Sequence, residues 1–251
     1  MAIKTRKISD WLSANGQAVT NASKATMEDA IRADIGQLYD GVFIVFHRKS
    51  DDFPLAVRVS SWASYQASGE IAEGVLLIEG GRHLVIAPTE ASSAKWSSKP
   101  VSSSDTSGSV QISGVTTTGD RINALNDFAG RANTTAIING STSSNVTNTE
   151  DYAAGFCNRY SRTNANGNGI TAGKWWLPSM GEMAMIWSNF DKINYALSKI
   201  SGATLLQSNW YWTSTQSSAT DAWYLALGDG NMRNSYKFNQ GTVRPVSAFL
   251  Y

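Results

Sequence analysis

Cysteine is almost missing from this chain. A single residue, Cys157, occurs in 251 positions, so no disulfide can form within the chain and stability has to come from packing. Charge is also scarce. Asp, Glu, Lys and Arg make up 16% of the sequence, the formal net charge is +1, and the basic residues form no cluster. Phosphate binding needs a concentrated basic stripe, so nucleic acid is not an expected partner. No apolar run approaches the roughly 20 residues of a membrane-spanning helix, and the opening Met1-Ala2-Ile3-Lys4-Thr5-Arg6-Lys7 leads into no apolar segment. Neither membrane insertion nor a signal peptide is expected, and synthesis is expected in the cytoplasm. The two histidines, His47 and His83, lie far apart, and neither has Cys, Asp or Glu at ligand spacing. That argues against a metal site or an acid–base pair. The glycines at 80–81 and 167–169 lack the lysine of a phosphate-cradling loop, so no cofactor is expected.

Large aromatics are plentiful, and they gather near the C-terminus. Around Trp210 and Trp212, and again at Trp223, Leu225 and Leu227, big apolar residues recur at every second position, the period of a strand with one buried face. Asp229-Gly230 follows and supplies the backbone angles of a tight turn, which predicts a hairpin returning through Met232 to Phe238. Val243-Arg244-Pro245-Val246 comes next, with a proline that belongs on an edge strand or at a strand's end. Between the apolar anchors of residues 216–242 stand Ser, Thr, Asp, Tyr, Asn, Arg, Phe and Gln in no periodic order. Such a mixture suits an adaptable recognition surface. On composition alone an ordinary solvated sheet face is the simpler account, since surface polar residues need no special cause.

Upstream, residues 1–34 are weakly patterned, with one short helix carrying Met27, Ala30, Ile31 and Asp34 capped by Ser23 or Thr26. Strands are predicted at residues 41–46 and 55–59, and a hairpin at 74–87 pivots on Gly80-Gly81. Residues 92–119 read as a long Ser/Thr/Gly-rich surface loop with Trp96 tucked inward. Thr118 or Asp120 opens a helix with Ile122, Leu125 and Phe128 on one face, closed by Gly130. After an Asn/Ser/Thr/Gly loop at 133–148, a second helix carries Tyr152, Ala153, Phe156, Cys157 and Tyr160. Ser179-Met180-Gly181-Glu182 is a capping box opening a third, whose buried stripe is Met183, Ile186, Trp187 and Phe190. A further helix restarts near Asn189 or Asp191 and closes at Gly202. Helices followed by antiparallel strands predict an α+β domain rather than a parallel sheet.

The succession of KWWLPSMGEM at 174–183, YWTST at 211–215, Ala222-Trp223 and VRPV at 243–246 resembles one branch of the C-type lectin fold. That branch comprises variable proteins diversified by retroelements in gut Bacteroides and their phages. More loosely the succession is similar to the C-terminal domain of bacterial collagen-like adhesins. The likeness runs from about Ile71 to the C-terminus. It implies a C-type lectin-like fold with two to three helices and a small antiparallel sheet ending in a decorated hairpin. Residues 1–70 would be an N-terminal arm and small β-rich segment, and residues 71–251 a ligand-binding domain with a variable region at about 208–246.

In proteins of that kind adenine-directed rewriting changes codons of the final segment, and the resemblance assigns ligand binding to Thr220, Asp221, Tyr224, Ala226, Asp229, Asn231, Arg233, Asn234, Ser235, Tyr236, Phe238 and Asn239. They would form a flat, exposed face with Trp210, Trp212 and Trp223 as scaffold beneath. The implied function is non-enzymatic recognition of a protein or glycan on a target cell surface, by a virion-associated receptor-binding protein that is a trimer if it forms a phage tail tip. The alternative is a pilus or envelope adhesin subunit at the cell surface, in which the same face makes fixed subunit contacts. The calcium-dependent sugar motifs of lectin relatives are absent from the sequence, and one cysteine does not supply the paired cysteines of the formylglycine-generating branch.

Overall fold

A computed structural model of the chain describes residues 40–98 and 111–249. The helix expected near Met27 lies outside these residues. The first apolar run forms β1 (Gly41–His47), which is paired antiparallel on one side with β2 (Pro54–Arg58) and on the other with β3 (Gly74–Glu79). Gly80 and Gly81 adopt φ of 54° and 76°, angles costly for any residue with a Cβ, and so turn β3 tightly into β4 (Arg82–Ile86) as the glycine pair predicts. Two short strands, β8 (Trp175–Trp176) and β13 (Val246–Ser247), complete a six-stranded sheet in the order β2-β1-β3-β4-β13-β8. The strands at 41–58 therefore share a sheet with residues beyond 71, and the boundary drawn at 70 falls between hydrogen-bonded neighbours.

The second sheet has the order β11-β10-β9-β12-β5. It comprises β5 (Ala91–Lys95), β9 (Trp210–Gln216), β10 (Asp221–Ala226), β11 (Met232–Tyr236) and β12 (Gln240–Val243). Part of the predicted surface loop at 92–119 is thus strand, and Trp96 at its end is fully buried, donating its Nε1–H to the Thr213 carbonyl at 2.9 Å. The Asp229-Gly230 turn forms with Gly230 at φ 73°, and the Gly230 N–H donates to the Ala226 carbonyl. Pro245 falls between β12 and β13, where no ladder donor is needed. A third, two-stranded ribbon pairs β6 (Arg162–Thr163) with β7 (Gly169–Ile170).

The fold is mixed α+β, with six α-helices among the described residues rather than two to three. They are α1 (Trp62–Ala67), α2 (Arg121–Leu125), α3 (Gly130–Asn139), α4 (Ala153–Arg159), α5 (Met180–Ser188) and α6 (Phe190–Leu197). Asp120 caps α2 through Asn123 N–H. Ile122 stays exposed, however, and Gly130 opens α3 instead of closing α2. The first part of the segment read as a loop at 133–148, as far as Asn139, belongs to this helix, and the remainder is loop. Asn and Thr have low helix propensity, yet here their side chains are held by the rest of the fold. Asn133 Nδ2 donates to Asp127 Oδ2 at 2.9 Å, and the Thr134 hydroxyl accepts from Leu177 N–H at 3.0 Å. The capping box opens α5 as predicted, while Trp187, placed on its buried stripe, is 41% exposed.

Apolar packing divides into two clusters. The larger joins Ile44, Val75, Leu77 and Ile86 of the first sheet to Met183 and Ile186 of α5, Ile193 and Leu197 of α6, and Tyr211, Trp223 and Leu225 of the second sheet. The smaller gathers Trp96, Ile137, Cys157, Leu177, Trp212, Ala222 and Val243. Burial pushes the Cys157 thiol up, which suits a small apolar side chain in a core.

Candidate functional site

The pleat decides what the C-terminal hairpin can present. In the β10–β11 ladder Tyr224 lies opposite Arg233, Ala222 opposite Ser235, and Trp223 opposite Asn234. Directly opposed residues point to one side, and side chains alternate along each strand. Trp223, Leu225 and Met232 therefore share one side, and all three belong to the larger core. Trp210, Trp212, Tyr224, Arg233 and Ser235 share the other side.

On that second side the aromatics interlock. The Trp210 and Tyr224 rings meet edge to face at 4.4 Å between centroids, and Tyr224 meets Trp212 at 5.2 Å. The Arg233 guanidinium lies over Trp210, 5.5 Å from its centroid. These rings open onto a cleft of about 330 Å³, closed on its far side by Ser235, Asn239, Gln240 and Gly241. Asn239 Nδ2 donates to Ser235 Oγ at 2.9 Å, fixing two polar groups at the rim. Trp212 is almost wholly buried, its Nε1–H donated to the Ala94 carbonyl at 3.1 Å, and Gly241 packs flat against its ring.

The twelve residues assigned from the resemblance separate accordingly. Tyr224, Arg233, Ser235 and Asn239 come together at or beside the cleft. Thr220 and Asp221 are engaged in their own turn, where Ser218 Oγ donates to Asp221 Oδ2 at 3.1 Å and the Thr220 hydroxyl donates to the same oxygen. Asp229 accepts from Asn231 N–H at the hairpin tip. Asn234 and Tyr236 point to the opposite side of β11, where Asn234 Nδ2 donates to Ser217 Oγ and the Tyr236 ring stacks on Phe238 at 5.6 Å. Ala226 is buried at 7% exposure and presents no side chain to an outward face. The assigned set is thus spread over two pleat faces and a turn, and the cleft-forming part of it is concave.

Trp210, Trp212, Gln240 and Gly241, which line the cleft, are not among the assigned residues, although Trp210 and Trp212 share the pleat side of Tyr224 across the β9–β10 ladder, opposite Ala226 and Tyr224. Two further groups lay beyond sequence reasoning. His47 Nδ1 sits 2.8 Å from Glu73 Oε1, a contact across 26 residues of chain. Arg244 and Glu90 form a buried ion pair at 2.7 Å, and Glu90 also accepts the Tyr211 hydroxyl. Both are embedded in strand ends and loops.

Elsewhere a wider groove of about 690 Å³ runs along α3, with Phe128, Trp176 and Glu182 among its walls. Glu182 accepts from Ser179 N–H at 2.9 Å and Trp176 Nε1–H at 3.1 Å, and burial raises its carboxyl to about 7 despite these donors. Among the described residues no group of three or more His, Cys, Asp and Glu side chains could hold a metal ion, and no helix is long and apolar enough to cross a membrane.

No protein-family model matches the chain, and no curated protein matches it. Among solved structures it is similar to a fimbrial protein from Bacteroides ovatus ATCC 8483, at 21% identity and a TM-score of 0.42, over 66% of this chain and 36% of that one. The chain thus spans about a third of the length of that protein.

Proposed function

We propose that the chain is a non-enzymatic recognition protein of C-type lectin-like build, and that the Trp210–Tyr224–Arg233–Ser235 side of the C-terminal hairpin is its binding face. One observation carries this reading: within the same strands, one pleat side packs into the larger core, while on the other the half-buried Trp210 and Tyr224, seated beside the buried Trp212, open onto a cleft of edge-to-face aromatics with polar rims. The outward Arg233, Ser235 and Asn239 belong to neither apolar cluster, so they can be exchanged without disturbing the packing, the arrangement that a diversified surface requires. Half-buried Tyr and Trp give contact area at low entropy cost, and Arg, Ser and Asn give direction to it.

The test is binding of the purified protein to displayed peptide and glycan panels, before and after Tyr224, Arg233 and Ser235 are replaced together by Ala. Loss of all binding by a folded variant supports the reading, and unchanged binding contradicts it. For the diversified origin, the check is genomic: a near-copy of the final coding segment, differing at adenines and adjoining a reverse transcriptase.

A second reading draws on the position of β11 at the margin of its sheet. An edge strand presents unpaired backbone groups to which another chain can add, as a pilus or envelope adhesin subunit with fixed contacts would use. Concentration-dependent polymers, lost on substituting proline for Asn234, would favour it over the first.

A further inference from the structure

From the chemistry of the cleft we infer that its ligand is a neutral carbohydrate; this rests on the recognition reading above and names the ligand class for the same face. Three properties lead there. Among the described residues, none that lines the cleft itself carries a charge; the neighbouring Arg233 stands beside it with its guanidinium over the Trp210 ring, 5.5 Å from the centroid, so no ionic side chain lies within the cleft. Its polar side chains, Ser235, Asn239 and Gln240, are hydroxyl and amide groups that both donate and accept, as each sugar hydroxyl also does. Its apolar wall consists of the half-buried Trp210 and Tyr224, held edge to face at 4.4 Å. The π face of such rings is electron-rich and attracts the C–H-bearing, weakly positive face of a pyranose.

Size agrees with chemistry. About 330 Å³ sits at the low end of ligand pockets and suits one or two sugar rings rather than a peptide strand with several side chains. Gly241 matters for the same reason. A Cβ there would come within 2.8 Å of Trp212 Nε1, so the floor stays low only with glycine. Polar groups already fixed by the Asn239–Ser235 hydrogen bond at 2.9 Å lose little further entropy when a hydroxyl joins them.

The experiment uses the whole chain on a printed array of neutral oligosaccharides, with sialosides and glucuronides beside them, followed by tryptophan fluorescence titration with the best neutral methyl glycoside. A peptide library is screened in parallel. The expected result is binding to a subset of neutral glycans, weakened at least tenfold by Tyr224→Ala and by Asn239→Ala. Circular dichroism and thermal melting confirm that each variant is folded, and Asn239→Ala, which removes no ring, keeps the test decisive if Tyr224→Ala does not fold. Binding confined to acidic sugars overturns the neutral class. Peptide binding that depends on the face, with no glycan binding, overturns the carbohydrate assignment and leaves the recognition reading intact. No face-dependent binding to either probe overturns both.

Discussion

Gly230, at the tip of the C-terminal hairpin, lies flat against the Trp187 indole of α5: a Cβ at Gly230 would overlap the ring carbons Cζ2, Cε2 and Cη2. The turn is thereby anchored to a helix whose other side is in the core, and this explains why Trp187 stands apart from the buried stripe that its spacing suggests. Gly230 also has φ 73°, so two independent constraints fall on one residue.

Replacing it separates them. Gly230→Ala should destabilise the protein by about 2–5 kcal/mol, the sum of a left-handed backbone penalty and an overpacking penalty. In a Trp187→Ala background the overlap is gone, and the same substitution should cost only about 1–2 kcal/mol. Urea unfolding of the four proteins in a double-mutant cycle measures the difference. Additive costs would show that the turn and the helix do not touch in solution.

Glu182 provides a pH-dependent contribution of known sign. Its carboxyl is raised from 4.5 to about 7, chiefly by burial, with Asp127 adding a smaller push upward. Between those values the folded chain holds a proton that the unfolded chain has released. The contribution is therefore full below pH 4.5 and is lost as pH rises through about 7, by an amount on the order of 3 kcal/mol. Glu182→Gln keeps an acceptor for Ser179 N–H and Trp176 Nε1–H and removes the titration. Melting temperatures of the two proteins should diverge in the variant's favour between pH 4.5 and 7.5. Parallel curves would contradict the burial of the acid.

Much of this architecture was readable from residue order because its causes are local. Asp229-Gly230 and Gly80-Gly81 require turns whatever surrounds them, and Ser179 with Glu182 closes a helix start from within four residues. The helix at α3 was hidden because Asn133 and Thr134 are poor helix formers, and their partners Asp127 and Leu177 come from separate segments. The site was half legible. Pleat parity, which could be read from the strands, separates Tyr224 and Arg233 from Asn234 and Tyr236. The residue-type scatter alone does not. Gln240 and Gly241 carry no signal of their own, since only the parallel alignment of β12 beside β9 brings them to Trp212.

Lys237 offers the opposite sign of pH effect. It is buried beneath the β9–β10 turn, its Nζ donating to Gln216 Oε1 at 2.6 Å and to the Ala219 carbonyl at 3.0 Å, with the ammonium 4.5 Å from the Trp96 ring centroid. Burial lowers it from 10.5 to about 7, against a smaller upward pull from Asp221. Between pH 7 and 10.5 the unfolded chain binds the proton that the folded chain has lost, so this group makes stability rise with pH across that window. Lys237→Met should flatten the rise. Denaturant midpoints at pH 7 and pH 9.5 read it directly, and a variant with the slope of the parent protein would contradict the assignment.

The account divides the hairpin into a side that holds the fold and a side that meets a ligand, and the most direct measurement is stability and binding on two variants in parallel. Trp223→Ala should lose about 3–5 kcal/mol of unfolding free energy through the cavity it leaves, yet still bind at temperatures where it remains folded. The Tyr224, Arg233 and Ser235 triple alanine variant should retain more of its stability, losing about 1–3 kcal/mol from the two ring contacts of the half-buried Tyr224, and bind no displayed glycan or peptide. Equal losses of stability in the two variants, or ligand binding that survives in the triple variant, would contradict it.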